Sequence, residues 1–375
     1  MKELDELKPV IQTVFQHLHT HPEVSWKEHE TTNYIASILH KEGINFERFD
    51  DCTGLVAEIG KGETAIGLRT DMDALWQEVD GEFRANHSCG HDAHMTMAIG
   101  AMLVLKRIGA ADRGRIKFIF QPAEEKGTGA LKLVEKGVVD DVHFLYGVHL
   151  RPIQELEDGY SAPAIYHGAG KFIDGEIIGE DAHGARPHLG HSAIEVGAAM
   201  VQEINRIKLD PMIPYSAKMT KFLSGGESGN IIPGKAAFSL DLRAQNNQTM
   251  DALSAKVETI FNYLSNLHDV EINWNVAANI AAAEVDNEAV QFMATAIADT
   301  LGEEKLSEPI ITTGGEDFHF YTLKRPQLKA TMLGLGCGLA PGLHHPQMTF
   351  NSEAIFSGIE ILVKTILNTQ AKEGE

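Results

Sequence analysis

Cys89 and His91 stand two residues apart in the run Ser88-Cys89-Gly90-His91-Asp92-Ala93-His94. A thiolate and an imidazole at that spacing can bind one metal centre, and Gly90 lets the backbone turn tightly between them. Alone, the trio is better read as a buried structural thiol beside a helix-capping His-Asp pair. Its company changes that reading. Arg69-Thr70-Asp71-Met72-Asp73, Gln121-Pro122-Ala123-Glu124-Glu125, His149 and His344-His345 add carboxylates and imidazoles at four other places. With these, a metal site becomes the better account. Histidine is the unusual count, 18 in 375 residues, and imidazole is the commonest metal ligand.

Glu124-Glu125 is the most informative pair. In extended backbone, adjacent side chains point in different directions. One carboxylate can then ligate a metal while its neighbour faces a bound water, taking its proton and passing it to a leaving group. A solvated acidic turn before a helix would also use two glutamates, so the pair decides nothing alone. His94 lies on the emerging helix and reads as a packing or supporting residue. His344 and His345 compete for one role, and spacing does not choose between them. His17, His19 and His21 resemble a metal tract, but His19 and His21 flank a helix break at Pro22 and read as structural.

These residues gain meaning from the elements that must carry them. Short apolar runs predict strands at Leu55–Ile59, Thr64–Leu68, Ile116–Phe120, Val142–Val148 and, much later, Thr331–Leu335. Met95–Arg107 has helical spacing between the second and third of these. Strand, helix, strand in that order predicts an α/β fold: a mixed, largely parallel sheet sandwiched by helices. In such sheets ligands bind at the carboxyl ends of strands. Five segments deliver Cys, His, Asp or Glu to that one edge.

The middle of the chain reads differently. Strand (Phe172–Ile178), helix (Ser192–Ile207), two strands (Ala217–Leu223, Ala236–Leu242), helix (Met250–Leu267) and strand (Val270–Val276) form the split-βαβ, ferredoxin-like order. The expected organisation is a metal-binding catalytic domain over 1–169 and 280–375, with an inserted α+β domain over 170–279. Helices at Glu288–Leu301 and Ser352–Leu367 complete the first domain. In the insert, Asn230 sits in a Gly-rich hairpin, His183 follows a strand, and Arg243 ends the returning strand. Such donors can hold an oxyanion and a substrate carboxylate, though turn chemistry and a surface cation explain them as readily.

Composition removes other classes. Thirty-two Lys and Arg against 53 Asp and Glu leave a formal charge of −21, which opposes phosphate backbones and anionic membrane surfaces. Thirteen acids against nine bases leave the insert at −4, so neither domain is basic. Nucleic acid and membrane are therefore not expected partners. The acidic start lacks the order of a signal peptide. The longest apolar run, Met97–Leu105, falls far below the about 18 residues of a membrane span. Three cysteines are too few for a disulfide framework, and the default is a cytoplasmic protein with reduced thiols.

Taken in order, Arg69-x-Asp71-Met72-Asp73-Ala74-Leu75, Cys89-Gly90-His91-Asp92-x-His94, Gln121-Pro122-Ala123-Glu124-Glu125, Gly147-x-His149 and Leu343-His344-x-Pro346 resemble a known family. It is the metal-dependent amidohydrolases of the aminoacylase/carboxypeptidase-G peptidase family. Within it the chain is most similar to the hippurate hydrolase and auxin-amino-acid conjugate hydrolase subgroup, with the AmhX-type amidohydrolases. The likeness extends from Leu18-His19-x-x-Pro22-Glu23 to the C-terminal helix. Gly315-Glu316-Asp317-Phe318 resembles a Ser-Glu-Asp-Phe segment of the subgroup. Leu75-Trp76 stands where the family has Leu-Pro, the stretch from Trp76 to Ser88 is short, and Glu180-Asp181 replaces small residues before His183. These departures bear on substrate preference.

The resemblance implies a zinc-peptidase-like domain holding two divalent metal ions per subunit (Zn, Mn or Co), with the insert serving as lid and homodimer interface. It implies Cys89, His91, Glu125, His149 and His344 as metal ligands, Glu124 as general base and acid, and Asp73 as a residue orienting the ligands. It implies that His183 polarises the scissile carbonyl, across the dimer in dimeric relatives, and that Asn230 and Arg243 bind substrate. The expected activity is hydrolysis of N-acyl amino acids or similar small conjugates. The rivals are a dipeptidase or aminopeptidase, a non-catalytic metal-binding protein, and a structural zinc protein. Keeping Glu124 beside a full ligand set argues against the second, and structural sites usually close with four ligands.

Overall fold

The computed structural model describes residues 1–374. Leu4, Leu7, Ile11, Val14 and Leu18 recur every three or four residues and form the buried stripe of α1 (Lys2–Thr20). The helix stops before Pro22, which disfavours helical backbone at the preceding residue, and α2 (His29–Lys41) follows. Next come β1 (Asn45–Arg48), β2 (Leu55–Ile59) and β3 (Ala65–Asp71), then a hairpin of β4 (Leu75–Val79) and β5 (Glu82–Asn86) that the sequence reading lacked. α3 (His91–Arg107) leads to β6 (Arg115–Gln121), and α4 (Gly129–Glu135) to β7 (Val142–Pro152) and the short β8 (Ser161–Ala162).

The chain then passes through β9 (Ile165–His167) into a second compact unit. That unit holds β10 (Ala169–Ile178), β11 (Ala182–His183), α5 (Ala193–Asn205), β12 (Tyr215–Ser224), β13 (Ile231–Ile232), β14 (Lys235–Ala244), α6 (Asn247–His268) and β15 (Glu271–Ile280). Afterwards come α7 (Asn287–Leu301), β16 (Ile310–Thr312), α8 (His319–Lys324), β17 (Lys329–Leu339) and α9 (Ala354–Glu373). The first unit comprises residues 1–166, 284–311 and 317–375, and the second 167–283 and 312–316.

In the first unit a seven-stranded sheet has the order β1-β2-β6-β3-β7-β17-β8. The four central strands, β6, β3, β7 and β17, run parallel, and the flanking pairs are antiparallel. β3 is buried along its whole length, as a strand covered on both faces must be. α3 is buried from His91 to Leu105, which explains why its apolar residues surround the helix rather than keeping to one stripe. It packs between α1 and α9. The mixed α/β class expected from the sequence is the one found.

The second unit is a four-stranded antiparallel sheet in the order β12-β14-β10-β15, with α5 and α6 as its helices. That is the ferredoxin-like arrangement. Along β14, Ala236, Phe238, Leu240, Leu242 and Ala244 alternate into a core with Val196 and Met200 of α5 and Leu253, Val257 and Phe261 of α6. β15, by contrast, is exposed along most of its length. Ser192 and Asn246 cap the two helices by accepting from Glu195 N and Thr249 N.

Candidate metal centre

The candidate site lies within the first unit, at the carboxyl ends of the parallel strands. β3 ends at Asp71 and carries Asp73 just beyond it. Gly90, at φ +85°, makes the left-handed turn that places Cys89 before α3 and His91 in its first turn. β6 runs into Ala123, which holds φ +53°, and the short 3-10 turn Glu124–Lys126 follows. The two glutamates therefore diverge from a tight turn and not from extended backbone, a correction to the sequence reading. β7 continues to Pro152, so His149 lies inside the strand instead of just past it. His344 follows β17 at φ +64°. Left-handed backbone at two non-glycine residues of the site is uncommon and is held by the surrounding structure. Glu28 supplies part of that hold: it is fully buried, and its carboxylate accepts from Ala123 N at 2.9 Å and Thr53 Oγ1 at 2.6 Å.

The candidate ligand atoms converge in overlapping groups. Cys89, His91 and His149 have donor atoms within 4.8 Å of one another, as do Cys89, Glu125 and His344, and His91, Glu124 and Glu125. Cys89 belongs to two of these groups, so the thiol stands between two places where a cation could sit. Cys89 Sγ is 3.6 Å from His149 Nε2, and His344 Nε2 is 3.4 Å from Glu125 Oε1. His345 instead accepts from Gln347 N, so of the two neighbouring histidines only His344 joins a ligand group.

Ring orientation is set from behind. His91 Nδ1 lies 2.8 Å from the Asp73 carbonyl and His149 Nδ1 lies 2.7 Å from the Leu150 carbonyl. Each Nδ1 must donate there, so Nε2 is the ring atom each histidine turns to the cleft. His91 Nε2 and Glu125 Oε1 are buried with no hydrogen-bond partner. Orphaned buried polar atoms are costly unless something else binds them. A thiol, three imidazoles and a carboxylate with two such atoms fit divalent cations well.

Asp73 does not face the cleft. Its carboxylate accepts from Glu124 N at 3.1 Å, Glu125 N at 3.0 Å and Ser25 Oγ at 2.6 Å, and lies 3.3 Å from His91 Nδ1. His94 is likewise satisfied, by Asp71 Oδ1 on one nitrogen and Leu150 N on the other. His19 pairs with buried Asp92 at 2.6 Å, and His17 stacks between His21 and Tyr34.

The electrostatics of the protein groups are those of a crowded cluster. Burial and the Glu125 charge push the Cys89 thiol up. The neighbouring Cys89 thiol and Glu125 carboxylate raise His344 to about 10. Burial, then His94 and Arg151, drives His149 well below its usual value, toward the neutral imidazole a metal requires. Burial would lower His91 too, but Asp71 and Cys89 override it and raise that ring well above the usual value.

The remaining sequence candidates belong to the second unit, and none joins a ligand group. His183 is exposed, with Nδ1 accepting from Ala185 N. Asn230 is exposed, and its carbonyl accepts from Gly184 N. Arg243 lies over the Phe172 ring, is 2.7 Å from Asp241, and borders a cavity of about 160 Å³ with Tyr215, Gln245 and Thr313.

A parallel-sheet hydrolase domain with clustered candidate metal ligands, joined to a ferredoxin-like unit, is the class this fold and site define. Residues 67–368 match the model of Peptidase family M20/M25/M40, and the chain belongs to that family of hydrolases of amide bonds. It is 30% identical to the N-acetyl-L-cysteine deacetylase of Bacillus subtilis over 96% of this chain and 88% of that one. It is 29% identical to the IAA-amino acid hydrolase ILR1-like 4 of Arabidopsis thaliana over 81% of this chain and 72% of that one. Among solved structures, the Bacillus subtilis YXEP protein, described as a dinuclear metal-binding peptidase of the M20 family, superposes with a TM-score of 0.83. That match is 23% identical over 98% of this chain and 99% of the other, and shows the shared fold. Among the described residues, no helix is long and apolar enough to cross a membrane.

Proposed function

We propose that this chain hydrolyses the amide bond of N-acyl amino acids or similar small amino-acid conjugates. The observation that carries the reading is the position of Glu124. It is nearly buried, 3.9 Å from His91 Nε2, and its neighbour Glu125 shares a ligand group with Cys89 and His344. This arrangement supports a reading in which one carboxylate binds and the other moves protons. Relatives named for deacetylating N-acetyl-L-cysteine and for hydrolysing an amino-acid conjugate support the substrate class.

Cys89, His91, Glu125, His149 and His344 would hold two divalent ions, which when bound supply Lewis acidity toward a carbonyl and a water. Zinc suits the thiolate and imidazoles, and manganese or cobalt the carboxylate and imidazoles. Glu124 takes a proton from the attacking water and returns it to the leaving nitrogen, so that an amine and not an amide anion departs. Asp73 holds Glu124 and Glu125 through their backbone N–H groups and His91 through its ring. His183 is proposed to donate to the developing oxyanion, acting across a homodimer formed through the inserted domain, 170–279. Asn230 and Arg243 are proposed to grip the substrate's polar groups and carboxylate. A cytoplasmic setting, where Cys89 stays reduced, belongs to the same proposal.

The test is a hydrolysis screen of acetyl-, benzoyl- and indole-acetyl-amino acids against free-amine dipeptides, with metal analysis, with and without chelator. Cleavage of the acylated compounds that chelation abolishes is the expected result. Preference for free-amine dipeptides would move the chain to the peptidase branch.

A further inference from the structure

The Glu124 carboxylate is held from a side the sequence did not reveal. Asp317 N donates to Glu124 Oε1 across 3.4 Å. The Asp317 side chain, fully buried, is itself gripped by several donors. Arg69 Nη2 donates to Oδ1 at 2.7 Å, Gln121 Nε2 lies 2.8 and 3.0 Å from the two oxygens, and Ala130 N donates to Oδ2 at 3.0 Å. Gln121 Oε1 accepts from Arg69 Nε at 2.9 Å and from Tyr321 Oη at 3.0 Å.

Arg69 also reaches the other half of the site. Its Nη1 donates to Asp71 Oδ2 at 2.8 Å, and Asp71 Oδ1 meets His94 Nδ1 at 2.8 Å and lies 3.9 Å from His91 Nδ1. One guanidinium therefore links the histidine side of the cluster to the peptide that touches Glu124. Burying a cation and two carboxylates is costly, and packed apolar side chains often stabilise as well or better. The guanidinium fork does what apolar packing cannot: it fixes direction, with several planar donors set at once.

We propose that Asp317 and Arg69 are positioning residues that aim the Glu124 carboxylate, acting through the Asp317 N–H and the Gln121 amide. The proposal rests on Glu124 being the proton carrier, as read above. Neither residue is assigned a contact with substrate.

Asp317→Asn keeps the backbone N–H and nearly the volume while removing the charge that Arg69 grips. It is expected to lower kcat roughly 10- to 100-fold, the scale of a small misplacement of a reacting group, with KM within about twofold. Metal content by mass spectrometry should stay at the wild-type level. In a Glu124→Gln background the same substitution should cost nothing further, because residues acting as one unit are not additive. Wild-type kcat in folded Asp317→Asn overturns the proposal, and so does a full multiplicative loss in the double variant. Should Asp317→Asn fail to fold, Tyr321→Phe removes one donor from Gln121 and takes its place in the cycle. Its expected loss is roughly threefold, the scale of one hydrogen bond, and an unchanged or multiplicative result there is equally fatal. Full activity in Glu124→Gln alone would sink the proton-carrier reading itself, which is a different failure from additivity in the cycle.

Discussion

His91 Nε2 and Glu125 Oε1 lie 3.9 Å apart, both buried and neither hydrogen-bonded. Buried polar atoms left without a hydrogen-bond partner are unfavourable in a folded protein and are compensated where a cation binds them. Chelation should therefore abolish hydrolysis while the far-ultraviolet circular dichroism of the chain persists. The core of the first unit is a large apolar cluster spanning α1, α3, α9 and the central strands, so the fold does not hang on the ions. Returning a divalent metal should restore activity. Unfolding on chelation would make the site structural.

Glu124→Gln preserves shape and hydrogen-bonding capacity but cannot accept and return a proton. Turnover should fall on the order of 10²- to 10⁴-fold, the usual worth of a positioned base. Bound metal should be retained, because the ligand groups Cys89–His91–His149 and Cys89–Glu125–His344 do not include Glu124. Parallel kinetics and metal analysis check both halves of this expectation.

Asp73 stands behind both proposed roles, accepting from the backbones of Glu124 and Glu125 while lying beside the His91 ring. Asp73→Asn should weaken metal affinity and kcat together, each by roughly 10- to 100-fold, as removal of a ligand's supporting hydrogen bond does. Metal titration of apoprotein followed by activity assay measures both. Loss of kcat at saturating metal with unchanged affinity would confine Asp73 to the Glu124 side.

Much of this arrangement was legible because the sequence signals are local. Cys89-Gly90-His91 and Glu124-Glu125 are short motifs, and the apolar runs around them announce strand ends. The hairpin of β4 and β5 was not legible, since its two aromatic residues, Trp76 and Phe83, are exposed and only Val79 of its ten residues is buried. The positioning network was hidden for a different reason. Arg69 and Asp317 are separated by 248 residues, and nothing in either neighbourhood shows that they meet. Glu28 is similar: a glutamate near a helix start reads as a solvated charge, yet it is buried against Ala123 N. What distinguished His344 from His345 was backbone conformation, which spacing does not encode.

An acid-sensitive element lies away from the site. Burial works to raise Asp141, but the Lys117 ammonium and the Arg115 guanidinium outweigh it and hold the carboxyl below its usual range. A depressed folded pKa contributes stability above the unfolded value, near 4, that is lost as pH falls through the folded one. Asp141→Asn should therefore destabilise by about 1 kcal/mol at neutral pH, a modest figure because Asp141 is 34% exposed and screened by solvent. The gap from wild type should shrink below about pH 4. Urea titrations at pH 7 and pH 3 would show it, and an equal gap at both would remove the ion pair as its cause.

Gly129 ties the fold of the glutamate loop to its chemistry. A Cβ at this position would stand 1.7 Å from the Pro122 carbonyl oxygen and 2.8 Å from Gln121 Nε2. The first is backbone and cannot step aside without moving the segment that runs through Ala123 to Glu124 and Glu125. Its backbone N–H also bonds Ala123 O at 3.2 Å, so α4 starts directly against the left-handed residue that aims the loop. Gly129→Ala should consequently cost about 1–3 kcal/mol of stability, the range for forced overpacking, despite alanine's better helix propensity. Activity should fall further than stability accounts for, because the displaced carbonyl and the Gln121 amide lie on both supports of Glu124. Gly43, where a Cβ meets nothing within 4 Å, supplies the control at a glycine remote from the ligand groups. Gly43→Ala strains its positive φ but should leave kcat unchanged. Comparable kcat losses in the two variants would mean that general destabilisation, and not the geometry of the glutamate loop, governs turnover.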